Sequence, residues 1–485
     1  MREGNARVAV RTGVPRQKSC RRATFRRVAR AWGLALLCVW LAPTACGSED
    51  AASSAIPDAG SDASPDVATE ATSDAADAGE EAASEASAPK VMLPKTGLSA
   101  AELGVLVNDA DPQSKEVADY YVAARKIPAA NVVKLTFPVN DVMSEADFAT
   151  AKAAVDAALG PEIQGLVVTW TKPYRVACMS TTSAFALGFD KKYCNTTGGA
   201  CGPTASVASH DSDTTAPFTD HGIRPTMMLV GKDAATAKAL VDRGVAADDT
   251  FPTGEGWLIR TTDTARSVRW PAFVTLISEW TDPSVMKLTY VDNSKGTGSD
   301  QIESQKDVLF YFTGLASVPK IETNGYRPGA IADHLTSYGG QVPTSGQMSI
   351  AKWIEVGVTG SFGTVVEPCN YQSKFPDPRV VVPRYYRGET LLEAYWKSVA
   401  APGEGLFVGE PLARPWGAEI VSYAGGTLSI QTTHLDPAKS YQIERADAES
   451  GPFTLVQGGI TVPNHQRVTL TVAPADAPVY RLSVE

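Results

Sequence analysis

Hydrophobic and polar positions alternate between two rhythms along residues 103–411 of this chain. Short apolar runs bounded by glycine, proline or asparagine predict strands, whereas stretches with apolar residues every three or four positions predict helices. The predicted strands are 103–110, 131–137, 163–176, 226–232, 287–293, 307–314, 360–368 and 405–411. The predicted helices are 112–128, 144–159, 233–244, 348–357 and 388–399.

Strands that alternate with helices are typical of a parallel sheet, because each helix carries the chain back to the start of the next strand. The pattern therefore predicts an α/β domain over 91–416 with a mostly parallel sheet and helices on both faces. Strand 163–176 is apolar throughout its middle, which predicts a central position. Ser114 is a plausible cap of the first helix, and Ser144 with Asp147 resembles a capping box at the second.

The pattern changes after Trp416. Alternating strands separated by Gly, Pro and Asp turns predict a β-sandwich of fibronectin type III-like rhythm over 417–485. A module of this kind usually packs on a partner domain or spaces it from a neighbour. We therefore interpret the sandwich as a packing module.

The regular pattern also dissolves over 178–225, where glycine, serine and threonine accumulate. A long insertion within a compact domain is usually functional or held by disulfides. Beyond the first 46 residues, the cysteines are Cys178, Cys194, Cys201 and Cys369. If the chain is exported to an oxidising compartment, as the amino terminus described below indicates, this even number predicts two disulfides, with three pairings open. Their spacings differ from those of a zinc site, so no metal is expected.

The amino terminus has the composition of an export signal. Residues 1–46 contain nine Arg and one Lys against one Glu, followed by an apolar run too short to span a bilayer. The segment ends in Pro-Thr-Ala-Cys, which resembles the lipobox of bacterial lipoproteins. That resemblance implies lipidation of Cys46, anchoring to the membrane and an outer-membrane location. Plain secretion after cleavage of the signal is the alternative.

Residues 47–90 form an acidic stretch built almost entirely from Ala, Ser, Asp, Glu, Gly and Pro, with eleven acidic residues against Lys90. Such a composition buries too little apolar surface to offset the entropy of ordering. We expect a disordered tether. The chain shows no basic stripe for nucleic acid, no phosphate-binding glycine loop and no dinucleotide fingerprint, so no cofactor and no nucleic-acid partner are predicted.

His334 is the best general-base candidate, since the chain has five histidines and the other four fall in the insertion or the sandwich. The glycine pair after it permits positive φ and a close approach of the backbone to a ligand. The alternative is that Asp333 and His334 lie in a helix turn and bond to the backbone.

The second candidate cluster lies at the carboxyl end of strand 360–368, where open parallel sheets hold ligands. Cys369 could act as a nucleophile with His334 as base, and Asp333 or Glu367 as the group that orients it. Ser337 is a second nucleophile candidate. Against this reading, Cys369 is expected to be disulfide-bonded because the cysteine count is even.

Aromatic residues raise a third function, the binding of a glycan at the cell surface. Trp170, Tyr174, Trp353 and Trp396 could stack on sugars. Aromatic residues at helical spacing are, however, more often part of a core.

The second half of the α/β region distantly resembles the gingipain-like, caspase-fold cysteine peptidases over about residues 300–416. The motifs are FYFTG, TGSFGTVVEP, GETLLEAYWKS and LFVGEPLARPW. In that family the first strand ends in a His-Gly base motif. Here Leu315 stands at the expected base position, and no Ala-Cys nucleophile follows, so the catalytic residues do not transfer.

A closer resemblance covers about 103–416 and is to an uncharacterised exported bacterial family that co-occurs with exosortase sorting systems. It rests on the segments VNDADPQSKEVADYYVAARKIPAANVV, VVTWTKPYRV, PGAIADHLTSYGG and SGQMSIAKWIEVGVTGSFGTVVEPC. It implies an envelope-associated role with an unknown envelope protein or polysaccharide as partner. Our leading hypothesis is a non-catalytic caspase-like binding domain, and the rival is a hydrolase that uses His334 with Cys369 or Ser337.

Overall fold

The computed structural model describes residues 88–195, 201–280 and 286–485. The predicted signal, the lipidation site at Cys46 and most of the predicted tether lie outside these residues. Within them, no helix is both long enough and apolar enough to cross a bilayer.

The described residues form twenty strands, which we number in chain order. They are β1 Lys90–Met92, β2 Leu103–Asn108, β3 Val132–Leu135, β4 Val142–Met143, β5 Gly165–Val168, β6 Arg175–Val176, β7 Met179–Ser180, β8 Thr226–Met228, β9 Gly254–Arg260, β10 Met286–Asp292, β11 Val308–Thr313, β12 Tyr326–His334, β13 Gly360–Thr364, β14 Gly405–Gly409, β15 Ile420–Ala424, β16 Thr427–Thr432, β17 Tyr441–Ala446, β18 Thr454–Ile460, β19 Val468–Val472 and β20 Val479–Val484.

The same residues form nine α-helices. They are α1 Pro112–Arg125, α2 Glu145–Ala158, α3 Thr181–Leu187, α4 Pro217–His221, α5 Ala234–Ala247, α6 Trp270–Glu279, α7 Ala351–Glu355, α8 Pro378–Tyr386 and α9 Leu391–Lys397.

A ten-stranded sheet forms the centre of the α/β region, in the order β10-β9-β11-β12-β13-β14-β8-β5-β2-β3. Strands β10, β9, β11, β12 and β13 run parallel to one another, as do β8, β5, β2 and β3. Strand β14 is antiparallel to β13. The sheet is therefore mostly parallel, as predicted, and β5 lies in its interior between β8 and β2.

Helices cover both faces of this sheet. Helix α5 packs on α1, α7 and β12, whereas α6 and α8 pack on each other, with α6 on β9 and β10 and α8 on α9. Both faces of the central strands are consequently buried: every residue of β2, β5, β11, β13 and β14 is inaccessible to solvent. Burial on both faces explains why β2, β5, β11 and β14 are almost entirely apolar.

The capping residue of α1 differs from the sequence prediction. Asp111 accepts the hydrogen bond from the Gln113 backbone N–H at 2.9 Å and is the N-cap. Ser114 instead lies buried inside the first turn, where its Oγ accepts from the Asn108 backbone N–H and meets Thr169 Oγ1 at 2.8 Å. The prediction for α2 is confirmed, since Ser144 accepts from the Asp147 N–H at 3.0 Å.

The elements that the hydrophobic pattern failed to predict include β9, α6, α8 and β12. Segment β12 contains Pro328 and Gly329 within an otherwise apolar strand, and its last two residues are Asp and His. The pattern predicts no strand over these residues, although burial of the last six marks β12 as a central strand. The alternative that Asp333 and His334 lie in a helix turn is therefore wrong.

Residues from 420 onward form two antiparallel-paired sheets, β15-β16-β19 and β17 flanked by β18 and β20. A separate core lies between them, with Leu428, Ile430, Ile443 and Leu482 almost fully buried. This agrees with the predicted β-sandwich. The short strand β1 joins the second sheet by pairing parallel to β20.

Candidate functional site

The loops that follow β12 and β13 lie at one edge of the sheet. The two strands are parallel, with Ile331 opposite Gly360, so their carboxyl ends point the same way. The Gly340 backbone N–H donates to the Thr364 carbonyl at 2.9 Å, and Thr364 Oγ1 donates to the carbonyls of Thr336 and Ser337. The loops around Asp333 and Glu367 thus meet where the sequence placed them.

The glycine pair after His334 serves this contact between loops. A Cβ atom on Gly340 would lie 2.3 Å from the Gly363 carbonyl oxygen, which is far inside van der Waals contact. Glycine is therefore required for the loop to pack on the β13 backbone. The close approach that we expected toward a ligand is made to the neighbouring strand.

Asp333 and His334 point to opposite faces of the sheet, because successive side chains of a strand alternate. Asp333 pairs with Arg269 at 2.5 Å, and both side chains are almost completely buried. Arg269 also donates to the carbonyls of Thr313 and Pro376. Asp333 therefore cannot orient the His334 ring, and that predicted role is wrong.

The imidazole of His334 is held by two protein partners. Trp353 Nε1 donates to His334 Nδ1 at 3.0 Å, so the ring proton resides on Nε2, which donates to the Met348 carbonyl at 3.1 Å. The side chain is 1% exposed. Burial in this apolar setting, helped by the nearby Arg269 and Arg266 charges, lowers the pKa of His334 to about 4.

Asp333 has the opposite shift. Burial raises the pKa of its carboxyl group, and the Arg269 guanidinium opposes that rise. A carboxylate sealed between a strand and the start of α6 has no route to solvent or substrate. We assign both Asp333 and His334 to the interior of the protein.

Cys369 forms a disulfide with Cys201, and Cys178 pairs with Cys194. The prediction of two disulfides among these four cysteines is confirmed, and the pairing is resolved. A disulfide sulfur carries no thiolate and is not a nucleophile of the kind a cysteine peptidase needs. The proposed Cys369–His334 dyad is therefore not formed in this structure.

Glu367 lies beside this disulfide. Its Oε1 accepts the Cys369 backbone N–H at 2.9 Å, and one of its oxygens lies within 4.8 Å of both the Cys201 and Cys369 sulfurs. All three side chains are partly exposed. Glu367 thus shapes the turn at Cys369 and does not contact His334.

Ser337 is partly exposed in the loop after β12. The only Ser337 contact seen in the described residues is through its carbonyl, which accepts from Thr364. Because His334 Nε2 is occupied by Met348, the histidine does not activate this hydroxyl.

A cavity of about 500 Å³ opens at the same edge, between the segment after β11 and the segment before α7. Val318, Ile321 and Met348 form apolar walls, and Ser317 and Thr344 contribute hydroxyl groups. Met348, whose carbonyl accepts from His334, belongs to this wall. His334 therefore contacts a residue of the cavity wall and does not line the cavity itself.

Charged residues surround the mouth of this cavity: Glu322, Lys352 and Glu355. Lys352 pairs with Glu355 at 2.7 Å, and both are more than one-fifth exposed. None of the lining residues in the described part of the chain is aromatic.

The aromatic residues considered for glycan binding lie in the core. Trp170, Trp353 and Trp396 are 0% exposed, and Tyr174 is 6% exposed. Trp396 stacks on Phe407 at 4.5 Å between ring centroids, and Trp353 packs edge-on against Tyr311. None of these four residues can stack on a sugar at the surface, which agrees with the alternative that they belong to the core.

Comparisons with known proteins leave the family open. No protein-family model matches the chain, and no curated protein matches its sequence. A solved chain described as "Structure of Protease" is similar to it at a TM-score of 0.41 and 10% identity, over 78% of this chain and 98% of that one. A likeness at this level carries no argument about activity.

Sequence reasoning missed the partners that fix these side chains, Arg269 and Trp353. A usable signal existed for Arg269, which lies in the segment SVRWPAF next to an apolar helix. A charge in such surroundings requires a buried counter-charge. The buried pair of Lys374 and Glu404, 2.7 Å apart at the same edge of the sheet, was also missed.

Proposed function

We propose that this protein is an envelope-anchored lipoprotein whose caspase-like α/β domain works by binding and not by catalysis. The observation that supports it most is the environment of His334. Both ring nitrogens are engaged, by Trp353 and Met348, and burial keeps the ring neutral. A general base needs a free nitrogen within reach of a substrate proton.

The cavity beside Met348 is the binding site in this proposal. Its apolar walls and hydroxyl-bearing rim suit an extended protein segment that inserts one apolar side chain. A polysaccharide fits less well, because sugars are usually held by exposed aromatic rings and the described lining has none. We therefore favour an envelope protein as the partner over a polysaccharide.

Photo-crosslinking tests the binding site. A photoreactive residue at the exposed position Thr344, on the rim, is expected to capture one discrete protein in intact envelopes. Exposed Thr297, which lies outside the cavity lining, is the matched control position. Equal capture from both positions, or no adduct from 344, would contradict the proposal. A polysaccharide adduct would identify the other class of partner.

Active-site probes test the absence of catalysis. Fluorophosphonate and thiol-directed probes applied to the native, oxidised protein are expected to label neither Ser337 nor Cys369. Incubation with a peptide library is expected to yield no new amino termini. Specific labelling of Ser337, with loss of labelling in the Ser337→Ala variant, would support the hydrolase.

The anchor is proposed from the lipobox-like Pro-Thr-Ala-Cys that ends at Cys46. Cells fed labelled palmitate are expected to transfer the label to the wild-type chain and not to the Cys46→Ala variant. The variant is also expected to move from the membrane to the soluble fraction. An unlabelled wild-type chain, or an unchanged membrane fraction in the variant, would show that the chain is not lipid-anchored.

The place of this chain in an exosortase-associated family is likewise part of the proposal and rests on the motifs quoted above. It predicts an envelope role and says nothing about a reaction. Deletion of the gene in its native host, followed by an inventory of exosortase-sorted surface proteins, tests the association. An unchanged inventory would argue against it.

A further inference from the structure

The residues Cys201, Glu367 and Cys369 bring three potential metal-ligand atoms close together. Their sulfur and carboxylate oxygen atoms lie within 4.8 Å of one another. No second cluster of this kind occurs among the described histidine, cysteine, aspartate and glutamate residues. In the oxidised protein the two sulfurs are bonded to each other, and a disulfide sulfur is a poor metal ligand.

The segments that carry the two cysteines are held together by contacts other than the disulfide. Glu404 accepts from the Asn195 backbone N–H at 2.8 Å on one side and pairs with Lys374 at 2.7 Å on the other. The Val207 backbone N–H donates to the Ala400 carbonyl at 2.9 Å. These contacts lie on both sides of Cys201 and just after Cys369, so they hold the two segments together independently of the disulfide.

Glu367 is already oriented toward this position. Its Oε1 accepts the Cys369 backbone N–H, which fixes the carboxylate against the same turn that presents the sulfur. An outer-shell hydrogen bond of this kind is typical of metal-binding carboxylates. Two thiolates with one carboxylate favour Zn²⁺ over Mg²⁺ or Ca²⁺, which prefer oxygen ligands alone.

We propose that reduction of the Cys201–Cys369 disulfide creates a Zn²⁺ site in which both thiolates and the Glu367 carboxylate are ligands. A dithiol reductant supplies two electrons and two protons, cleaves the S–S bond and itself becomes a cyclic disulfide. Zn²⁺ then displaces the two thiol protons to solvent. The fourth position faces solvent and takes water or a ligand from a partner.

The second disulfide provides an internal control. Cys194 is 3% exposed and its partner Cys178 is partly exposed, whereas both Cys201 and Cys369 are partly exposed. Exposed disulfides are reduced more readily than buried ones. No histidine, aspartate or glutamate in the described residues forms a ligand group with Cys178 and Cys194.

Cobalt titration tests the site on the purified exported chain. After mild dithiol reduction and removal of the reductant, Co²⁺ is expected to bind at one equivalent and give cobalt–thiolate charge-transfer absorption. Added Zn²⁺ is expected to displace it. The oxidised protein is expected to give no absorption. Absence of the band in the reduced protein, or its presence in the oxidised one, would overturn the proposal.

Three variants identify the ligands. C201S/C369S is expected to lose the band and C178S/C194S to keep it. Glu367→Gln, which preserves the disulfide and the side-chain size, is expected to weaken Co²⁺ binding about tenfold or more. Near-ultraviolet circular dichroism shows that each variant is folded. A band that persists in C201S/C369S, or Glu367→Gln with unchanged affinity, contradicts the assigned ligands.

Discussion

At the carboxyl end of β12, the two neighbouring residues that the sequence suggested as a catalytic pair point to opposite faces of the sheet. Asp333 meets Arg269 on one face of the sheet, and His334 meets Trp353 on the other. Alternation of side chains along a strand requires this separation. Asp333 contributes to the fold through a buried ion pair, and His334 contributes through a buried neutral ring.

The neutral state of His334 makes stability depend on pH. The folded-state pKa is about 4 against an ordinary value of 6.5, so the unfolded chain binds the proton first as pH falls. The neutral His334 ring therefore makes its full contribution to the free energy of unfolding above pH 6.5, and this contribution decreases between pH 6.5 and 4. At pH 5 the decrease is about 2 kcal/mol. Burial also lowers the pKa of His465 to about 4, so urea unfolding at pH 7 and pH 5 measures the His334 contribution as the difference between the wild type and a His334 variant.

His334→Gln is expected to be less stable at pH 7 by about 1–3 kcal/mol, since a buried hydrogen-bonded group is altered. It should also lose less stability between pH 7 and 5 than the wild type does. His221→Gln, at a partly exposed position in α4, is the matched control. If the pH dependence of His334→Gln equals that of the wild type, His334 is not the titrating group.

Among the secondary-structure elements, the insertion over 178–225 departs most from its sequence pattern. It contains β7, α3 and α4, and its two disulfides perform different tasks. Cys178–Cys194 closes a local loop across 16 residues, whereas Cys201–Cys369 ties the insertion to the loop after β13 across 168 residues. The second disulfide therefore joins two segments that are far apart in the sequence.

Removing the two disulfides one at a time should reveal this difference. In the chain-entropy description, removal of the short link lowers the free energy of the unfolded state by about 3 kcal/mol. Removal of the long link lowers it by about 5 kcal/mol. C201S/C369S is therefore expected to lose more stability in urea than C178S/C194S. An equal or reversed loss would show that local packing, and not loop closure, sets the effect.

For the molecule as a whole, residues from the α/β region and the sandwich form one compact unit within 83–485. Trp280 stacks on His465 at 5.4 Å between centroids, and Arg467 lies over the Phe251 ring at 3.9 Å. Arg387 pairs with Asp436 at 3.2 Å. We expect the two regions to unfold together.

Tryptophan fluorescence tests this coupling, because residues 417–485 contain no tryptophan. Ile443→Ala, in the sandwich core at 0% exposure, should cost about 2–5 kcal/mol. If unfolding is cooperative, the fluorescence midpoint of the α/β region falls with it. Leu455→Ala, 61% exposed on β18, is the control and should change little. A shift in circular dichroism without a shift in fluorescence would mean independent unfolding.

The alternating apolar rhythm was enough to predict a mostly parallel sheet, its interior strand β5 and the antiparallel module after Trp416. These features depend on local periodicity and on burial of whole strands, and both can be recognised in the amino-acid sequence. The parity of the cysteines likewise predicted two disulfides. The positions of the loops around Asp333 and Glu367 at one edge followed from the parallel strands.

Contacts between residues distant in the chain lay beyond the reach of the pattern. Three such contacts join separate segments: the Cys201–Cys369 disulfide, the Arg269–Asp333 ion pair and the hydrogen bond from Trp353 to His334. Each depends on which face a side chain occupies and on which loop lies opposite. Packing in three dimensions sets both, and it places Asp333 and His334 in buried structural contacts and Cys369 in a disulfide.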